Sequence, residues 1–208
     1  MPRVSEEYRA NRRAEIVAAA ARLFAGNGFH ATSMADIISE SGLSAGAVYR
    51  YFASKEDLIL AVSEHALNAA DEVFGGMLAD GATPSPQQAL EAVVRGITDR
   101  IVNNPDVGVD LSRVGIQVWA EALRSERLAA RVDEVYRQLR DHFAEAARRW
   151  QQAGNLPADA APEQIGAAML SLVQGYVLQR LLVGGTDADG YLAGIAALVP
   201  TVASDAVR

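Results

Sequence analysis

The stretch Ser33–Lys55, SMADIISESGLSAGAVYRYFASK, decides how the rest of the chain is interpreted. Ser33 is followed three residues later by Asp36, which is the acidic form of the capping box that begins a helix. Gly42 is expected to end this helix, because glycine adopts the positive φ of a helix C-terminus without steric cost. The stretch therefore predicts a short helix and a tight corner, followed by further helical segments.

The second helix of the stretch is predicted over Ala45–Phe52, with Ser44 as its cap. Val48 and Phe52 are four residues apart and share one face, where they can pack. The run Tyr49–Tyr51 points in other directions and suits phosphates and base edges. Two short helices joined by a glycine-containing turn are typical of a helix-turn-helix. The pattern favours DNA recognition over its alternative, a helix pair that serves packing alone.

The longer stretch Phe29–Leu58 resembles the DNA-binding signature of TetR-family (tetracycline-repressor-type) transcription regulators. The matching positions are Gly28, Phe29, Thr32, Ser33, Ile37, Gly42, Ser44, Ala45, Gly46, Tyr49, Tyr51, Phe52, Ser54, Lys55, Glu56 and Leu58. This resemblance implies an all-helical homodimer of two-domain chains that binds a double-stranded DNA operator. It also implies a repressor that a small-molecule effector releases from DNA.

The resemblance places the DNA contacts on the helix pair and at the start of the next helix. The positions are Ser33, Ser44, Ala45, Gly46, Ala47, Tyr49, Arg50, Tyr51 and Lys55. We expect Arg50 to read a base, because arginine pairs bidentately with guanine. Lys55 matches a phosphate-binding lysine and is the only lysine in the chain, against 18 arginines. Base readout by the small leading residues is expected to rest on thymine methyls and DNA shape.

The net charge of −7 lies entirely outside this DNA-binding segment. Residues 1–58 contain seven basic and seven acidic side chains, whereas residues 59–208 contain 12 basic and 19 acidic ones. The N-terminal part is thus neutral rather than basic. DNA affinity is therefore expected to depend on a few well-placed contacts and on dimerisation.

Helical periodicity continues along the whole chain, with no strand periodicity of note. It predicts an all-α fold of about nine helices. Three form an N-terminal helix-turn-helix domain over residues 1–54, and six form a helical bundle for effector binding and dimerisation over residues 55–208. One of the six is predicted from about Asp106 to Leu123.

The chain lacks the motifs of common enzymes and metal sites. It has no cysteine, no phosphate-binding or dinucleotide-binding loop and no nucleophile elbow, and its three histidines are scattered. We expect no enzymatic activity, no cofactor and no metal. Its apolar runs fall short of the ~20 residues of a membrane span, so a cytoplasmic protein without membrane contact is expected. The alternative function is a helical ligand-binding or enzymatic module whose N-terminal domain no longer reads DNA.

The C-terminal domain offers candidate residues for the effector and for the partner subunit. An apolar pocket with a few polar groups would suit a small, largely apolar molecule. The effector candidates are Phe74, Met77, Gln117, Trp119, His142, Phe143, Gln174 and Tyr176. The last two predicted helices are apolar on more than one face, and the resemblance implies that they form the dimer interface. The dimer candidates are Met169, Val173, Val177, Leu181, Ile195 and Leu198.

Overall fold

The computed structural model describes residues 6–78, 81 and 83–198, and this part of the chain is helical without strands. Its nine α-helices confirm the predicted fold class. They are α1 (Glu6–Asn27), α2 (Met34–Ser41), α3 (Ala45–Tyr51), α4 (Lys55–Gly76), α5 (Pro86–Ile97), α6 (Ser112–Ala122), α7 (Glu126–Gln152), α8 (Pro162–Leu182) and α9 (Ala188–Leu198).

Helix α1 supports the helix-turn-helix through an apolar face. Ile16, Ala20 and Phe24 recur at helical spacing and are fully buried. The ring of Phe24 packs edge-on against that of Phe29, with 5.0 Å between the ring centroids. Gly28, just before Phe29, has a φ of +90°. This conformation terminates α1 and turns the chain toward α2.

Helix α5 begins with a capping box and ends in a π-helical turn. Ser85 and Gln88 form a reciprocal capping box, and Pro86 occupies the first turn. The helix continues into a π-helical turn, Thr98–Val102. The Thr98 hydroxyl lies 3.1 Å from the carbonyl oxygen of Val94, to which it donates a hydrogen bond.

Helix α6 begins six residues later than the sequence predicted, at Ser112 rather than near Asp106. The Asn104 side chain accepts hydrogen bonds from the backbone N–H groups of Asp106 and Val107, at 3.1 and 3.0 Å. Gly108 then adopts a φ of +68°, which interrupts a helix. This side-chain turn satisfies the backbone locally, so the helix begins only after it.

The chain packs into two compact units. The front unit comprises Met1–Ala69 with Asp99–Asp133, and the rear unit comprises Ala70–Thr98 with Glu134–Arg208. The predicted boundary after residue 54, between DNA-binding and effector-binding domains, stays a prediction. The front unit includes α6 because α6 packs against α1, although the two helices are far apart in the chain.

Candidate nucleic-acid interface

The first helix of the pair begins with the predicted capping box. The Ser33 hydroxyl oxygen accepts a hydrogen bond from the Asp36 N–H at 3.2 Å, and the Ser33 N–H donates to the Asp36 carboxylate at 2.8 Å. The Ser33 hydroxyl also donates to that carboxylate at 2.6 Å. The hydroxyl first, and the backbone N–H second, lower the pKa of Asp36. The start of α2 is therefore fixed by one charged residue.

A sharp corner connects α2 to α3. Gly42 has a φ of +65° and donates its N–H to Ser39 at the end of α2. Ser44 caps α3 by accepting from the Ala47 N–H at 3.3 Å. Val48 is fully buried on the inner face of α3, so the opposite face of this short helix is directed to solvent.

The structure brings the predicted DNA contacts to the surface around α3. Ser33, Ser44, Ala45, Gly46, Tyr49 and Arg50 are exposed, and Ala47, Tyr51 and Lys55 are half-buried. Tyr49 is 50% exposed, so its ring and hydroxyl are accessible from solvent. Of these nine residues, Ser33 caps α2, Ser44 caps α3 and Lys55 is the first residue of α4. The others lie on α3. They are thus available to a ligand that lies along this surface.

Some of the basic side chains in the front unit form ion pairs, whereas others do not. Arg12 lies 2.6 Å from Glu15, and Arg22 lies 2.7 Å from Glu40. Within the described ranges, Arg50 and Lys55 have neither an ion pair nor a side-chain hydrogen bond. The neutral balance of the sequence therefore conceals unpaired cations at the end of α3 and the start of α4.

Gln117 connects α6 to the loop that enters the helix-turn-helix. Its carbonyl oxygen accepts from the Phe29 N–H at 2.7 Å, and its NH₂ group donates to the Phe24 carbonyl at 2.8 Å. The sequence predicted Gln117 as an effector residue, but its amide is bonded inside the front unit. No local sequence signal indicates this bridge, because its partners lie about 90 positions away.

A second link lies one turn further along α6. Glu121 is 3.3 Å from the imidazole of His30, which follows Phe29 in the same loop. Gln117 and Glu121 are four residues apart and therefore share one face of α6. This face of α6 contacts Phe24 before the turn at Gly28, and Phe29 and His30 after it.

The other effector candidates are divided between the two units. Trp119 lies in the front unit with Gln117. The rear unit contains the six other candidates: Phe74, Met77, His142, Phe143, Gln174 and Tyr176. The rings of Phe74 and Phe143 pack edge-on with centroids 5.2 Å apart, and His142 lies 3.0 Å from Asp71.

Two grooves lie away from these candidates. One of about 780 Å³ lies between α1, α4 and residues 106–107 in the front unit. Another of about 240 Å³ lies between α5 and α9 in the rear unit. None of the eight effector candidates lines either groove. Their role in effector binding thus stays a prediction.

The dimer candidates differ in their exposure. Met169, Val173 and Ile195 are buried within the single chain, Val177 and Leu181 are half-buried, and Leu198 is 82% exposed. The sequence did not single out Leu182 and Val183, which are 72% and 75% exposed.

By length and composition alone α8 could cross a membrane, and 28% of its most apolar part is buried in the chain. A helix of a protein core passes the same criterion.

The fold and the exposed helix pair define a helix-turn-helix regulator, and comparison with known proteins gives its family. Residues 16–62 match the tetR family of bacterial regulatory proteins, and residues 86–203 match the C-terminal domain of BetI-type transcriptional repressors. The chain belongs to the TetR family of DNA-binding transcriptional regulators. This confirms the family that the sequence resembles.

Relatives of the same class cover most of the chain. The chain is 28% identical over 192 residues to the uncharacterized HTH-type transcriptional regulator YfiR of Bacillus subtilis, covering 90% of this chain and 89% of YfiR. It is 28% identical over 189 residues to the HTH-type transcriptional repressor Rv1474c of Mycobacterium tuberculosis, covering 88% and 89%. A regulator from Saccharomonospora viridis, solved in complex with choline, shares the fold. Its TM-score is 0.73 at 23% identity, covering 91% of this chain and 95% of that one.

Proposed function

We propose that this regulator represses transcription as a homodimer in the cytoplasm and leaves its operator when a small, largely apolar effector binds. The observation that carries the DNA-binding part is the exposed face of α3, with Tyr49 at 50% exposure and Arg50 unpaired among the described residues. An aromatic hydroxyl and a guanidinium beside small leading residues suit the approach of a helix to a DNA groove. Lys55 supplies a phosphate contact beside them.

The dimer is supported by exposed apolar side chains at the end of α8 and at the end of α9. Leu182, Val183 and Leu198 are large apolar side chains that are mostly exposed in the single chain. Large apolar side chains exposed on a helix in this way are consistent with covering by a second chain. A two-fold dimer also presents two copies of α3 to half-sites about 34–36 Å apart.

The release of DNA requires a connection between the effector and the helix-turn-helix. Gln117 and Glu121 supply one, since they attach α6 to the loop that enters α2. An effector that moves α6 would change the position of that loop. For regulation it must bind the DNA-free form better, and coupling of this kind is typically ~1–3 kcal/mol.

The DNA-binding proposal is tested by a gel shift with the promoter region beside the protein's own gene. Wild-type protein is expected to shift this DNA at low salt and to lose affinity as salt rises. Tyr49→Ala and Lys55→Ala are expected to weaken the shift without lowering the melting temperature. Glu134→Ala on α7, an exposed substitution in the rear unit, serves as the control. A wild-type protein that shifts no sequence selectively would favour the alternative, a helical module that no longer reads DNA.

The effector proposal is tested separately on the protein–DNA complex. Small apolar compounds and choline, which the Saccharomonospora viridis neighbour binds, are added one at a time to the preformed complex. A true effector is expected to release DNA and to raise the melting temperature of the DNA-free protein. A compound that does one without the other does not act by the proposed mechanism.

A further inference from the structure

The guanidinium of Arg13 is held at the end of the recognition helix. Its central carbon lies 5.2 Å from the ring centroid of Phe52, which is a cation–π distance. Phe52 is buried at 3% exposure and is the C-cap residue of α3, with its N–H donated to Val48. Arg13 on α1 is therefore held at the corner where α3 ends. Phe52, which forms this corner, precedes Lys55 by three residues.

Arg13 differs from its neighbour Arg12 in the state of its charge. The Arg12 guanidinium donates to Glu15 at 2.6 Å and to the Tyr8 hydroxyl at 3.1 Å. Arg13 is exposed and has no carboxylate or hydrogen-bond acceptor as a partner in the described part of the chain. An arginine held over an aromatic ring keeps N–H groups that can donate to an anion.

A planar cation that is fixed in place and retains its donors suits a phosphate, which it can bind through two parallel hydrogen bonds. We propose that Arg13 binds a phosphate of the operator backbone next to the contact made by Lys55. This inference rests on the proposed DNA-binding function and adds an anchor from α1. The two cations would then fix the register of α3 in the groove from separate helices.

The test is the salt dependence of DNA binding by wild-type, Arg13→Gln, Arg13→Lys and Arg12→Gln proteins. Binding is measured by fluorescence anisotropy on a labelled duplex that the wild-type protein enriches from a random library. Arg13→Gln is expected to lower the slope of log Kd against log salt by ~0.9 per half-site, as for one lost phosphate contact. Affinity should fall about eightfold per half-site at 0.1 M salt. This is the effect at that salt concentration of releasing ~0.9 fewer counterions from the DNA.

The other variants separate charge from packing. Arg12→Gln should leave the slope unchanged, because Glu15 already pairs with that arginine. Arg13→Lys should keep the slope and bind with intermediate affinity, since it retains the charge and loses the planar, bidentate guanidinium. The melting temperature of Arg13→Gln should remain within about 2 °C of wild type, as for an exposed substitution.

The outcomes distinguish this inference from the function on which it rests. If wild type binds DNA and Arg13→Gln keeps the wild-type slope, Arg13 contacts no phosphate and the inference is overturned. A large drop in melting temperature with an unchanged slope would assign Arg13 a purely structural role. If the wild-type protein enriches no duplex, the proposed function fails and the inference fails with it.

Discussion

Replacing Gln117 by leucine should loosen the loop that enters the helix-turn-helix. Leucine has a similar length but cannot replace the hydrogen bonds of the amide to Phe29, Phe24 and Arg113. The Phe29 N–H would then lose its acceptor in a residue that is only 3% exposed. The Phe24 carbonyl would lose one bond but keep that from the Gly28 N–H at 3.0 Å.

The two losses differ in size. An unsatisfied buried N–H costs about 1–3 kcal/mol, and the loss of one further hydrogen bond costs about 1 kcal/mol. Part of this is offset by the apolar surface that leucine buries, so a net destabilisation of about 2 kcal/mol is expected. For a chain of this size that corresponds to a fall in melting temperature of about 4–8 °C.

Hydrogen exchange of the Phe29 amide measures the effect at the site itself. If the opening free energy falls by about 2 kcal/mol, the amide should exchange about 30-fold faster in Gln117→Leu than in wild type. Gln117→Glu keeps an acceptor for Phe29 and should retain more of the protection. Gln152→Leu, at the exposed end of α7, is the matched control. Wild-type protection of Phe29 in Gln117→Leu would refute the proposed bridge.

Two further changes test the helix start and the helix packing. Because the folded-state pKa of Asp36 is lowered, its contribution to stability is present above the unfolded pKa of about 3.9 and is lost as pH falls through the folded value. The protection of amides at the start of α2, taken relative to their intrinsic exchange rates, should therefore fall below about pH 4, and Asp36→Asn should remove this pH dependence. In Gly166→Ala the new Cβ would lie 2.5 Å from the Arg140 carbonyl on α7, so thermal unfolding should show about 1–3 kcal/mol of destabilisation. Gly46→Ala meets nothing within 4 Å and should be neutral or stabilising; an equal loss in both variants would contradict the packing argument.

The helix pair could be predicted from the sequence because its signals are local. Ser33 and Asp36 cap each other across three residues, and Gly42 adopts the positive φ that the end of α2 requires. Such contacts depend on the chain within a few residues of themselves. The predicted caps of α2 and α3 are therefore present in the structure.

The links between distant segments could not be predicted. The Gln117 bridge and the Arg13–Phe52 stack require α1, α3 and α6 to be docked, and a glutamine or an arginine on a helix is equally compatible with solvent exposure. Helical periodicity likewise does not say that residues 99–133 pack with the front unit. The start of α6 was missed because Asn104 caps a turn that periodicity does not reveal.

The central claim is that α3 of a dimer reads a specific DNA sequence. Selection of bound duplexes from a random library, followed by sequencing, tests it most directly. The account predicts an inverted repeat whose half-sites are one helical turn or a multiple apart, and a changed base preference in Arg50→Ala. Enrichment of no motif, or of one that lacks two-fold symmetry, would contradict the claim.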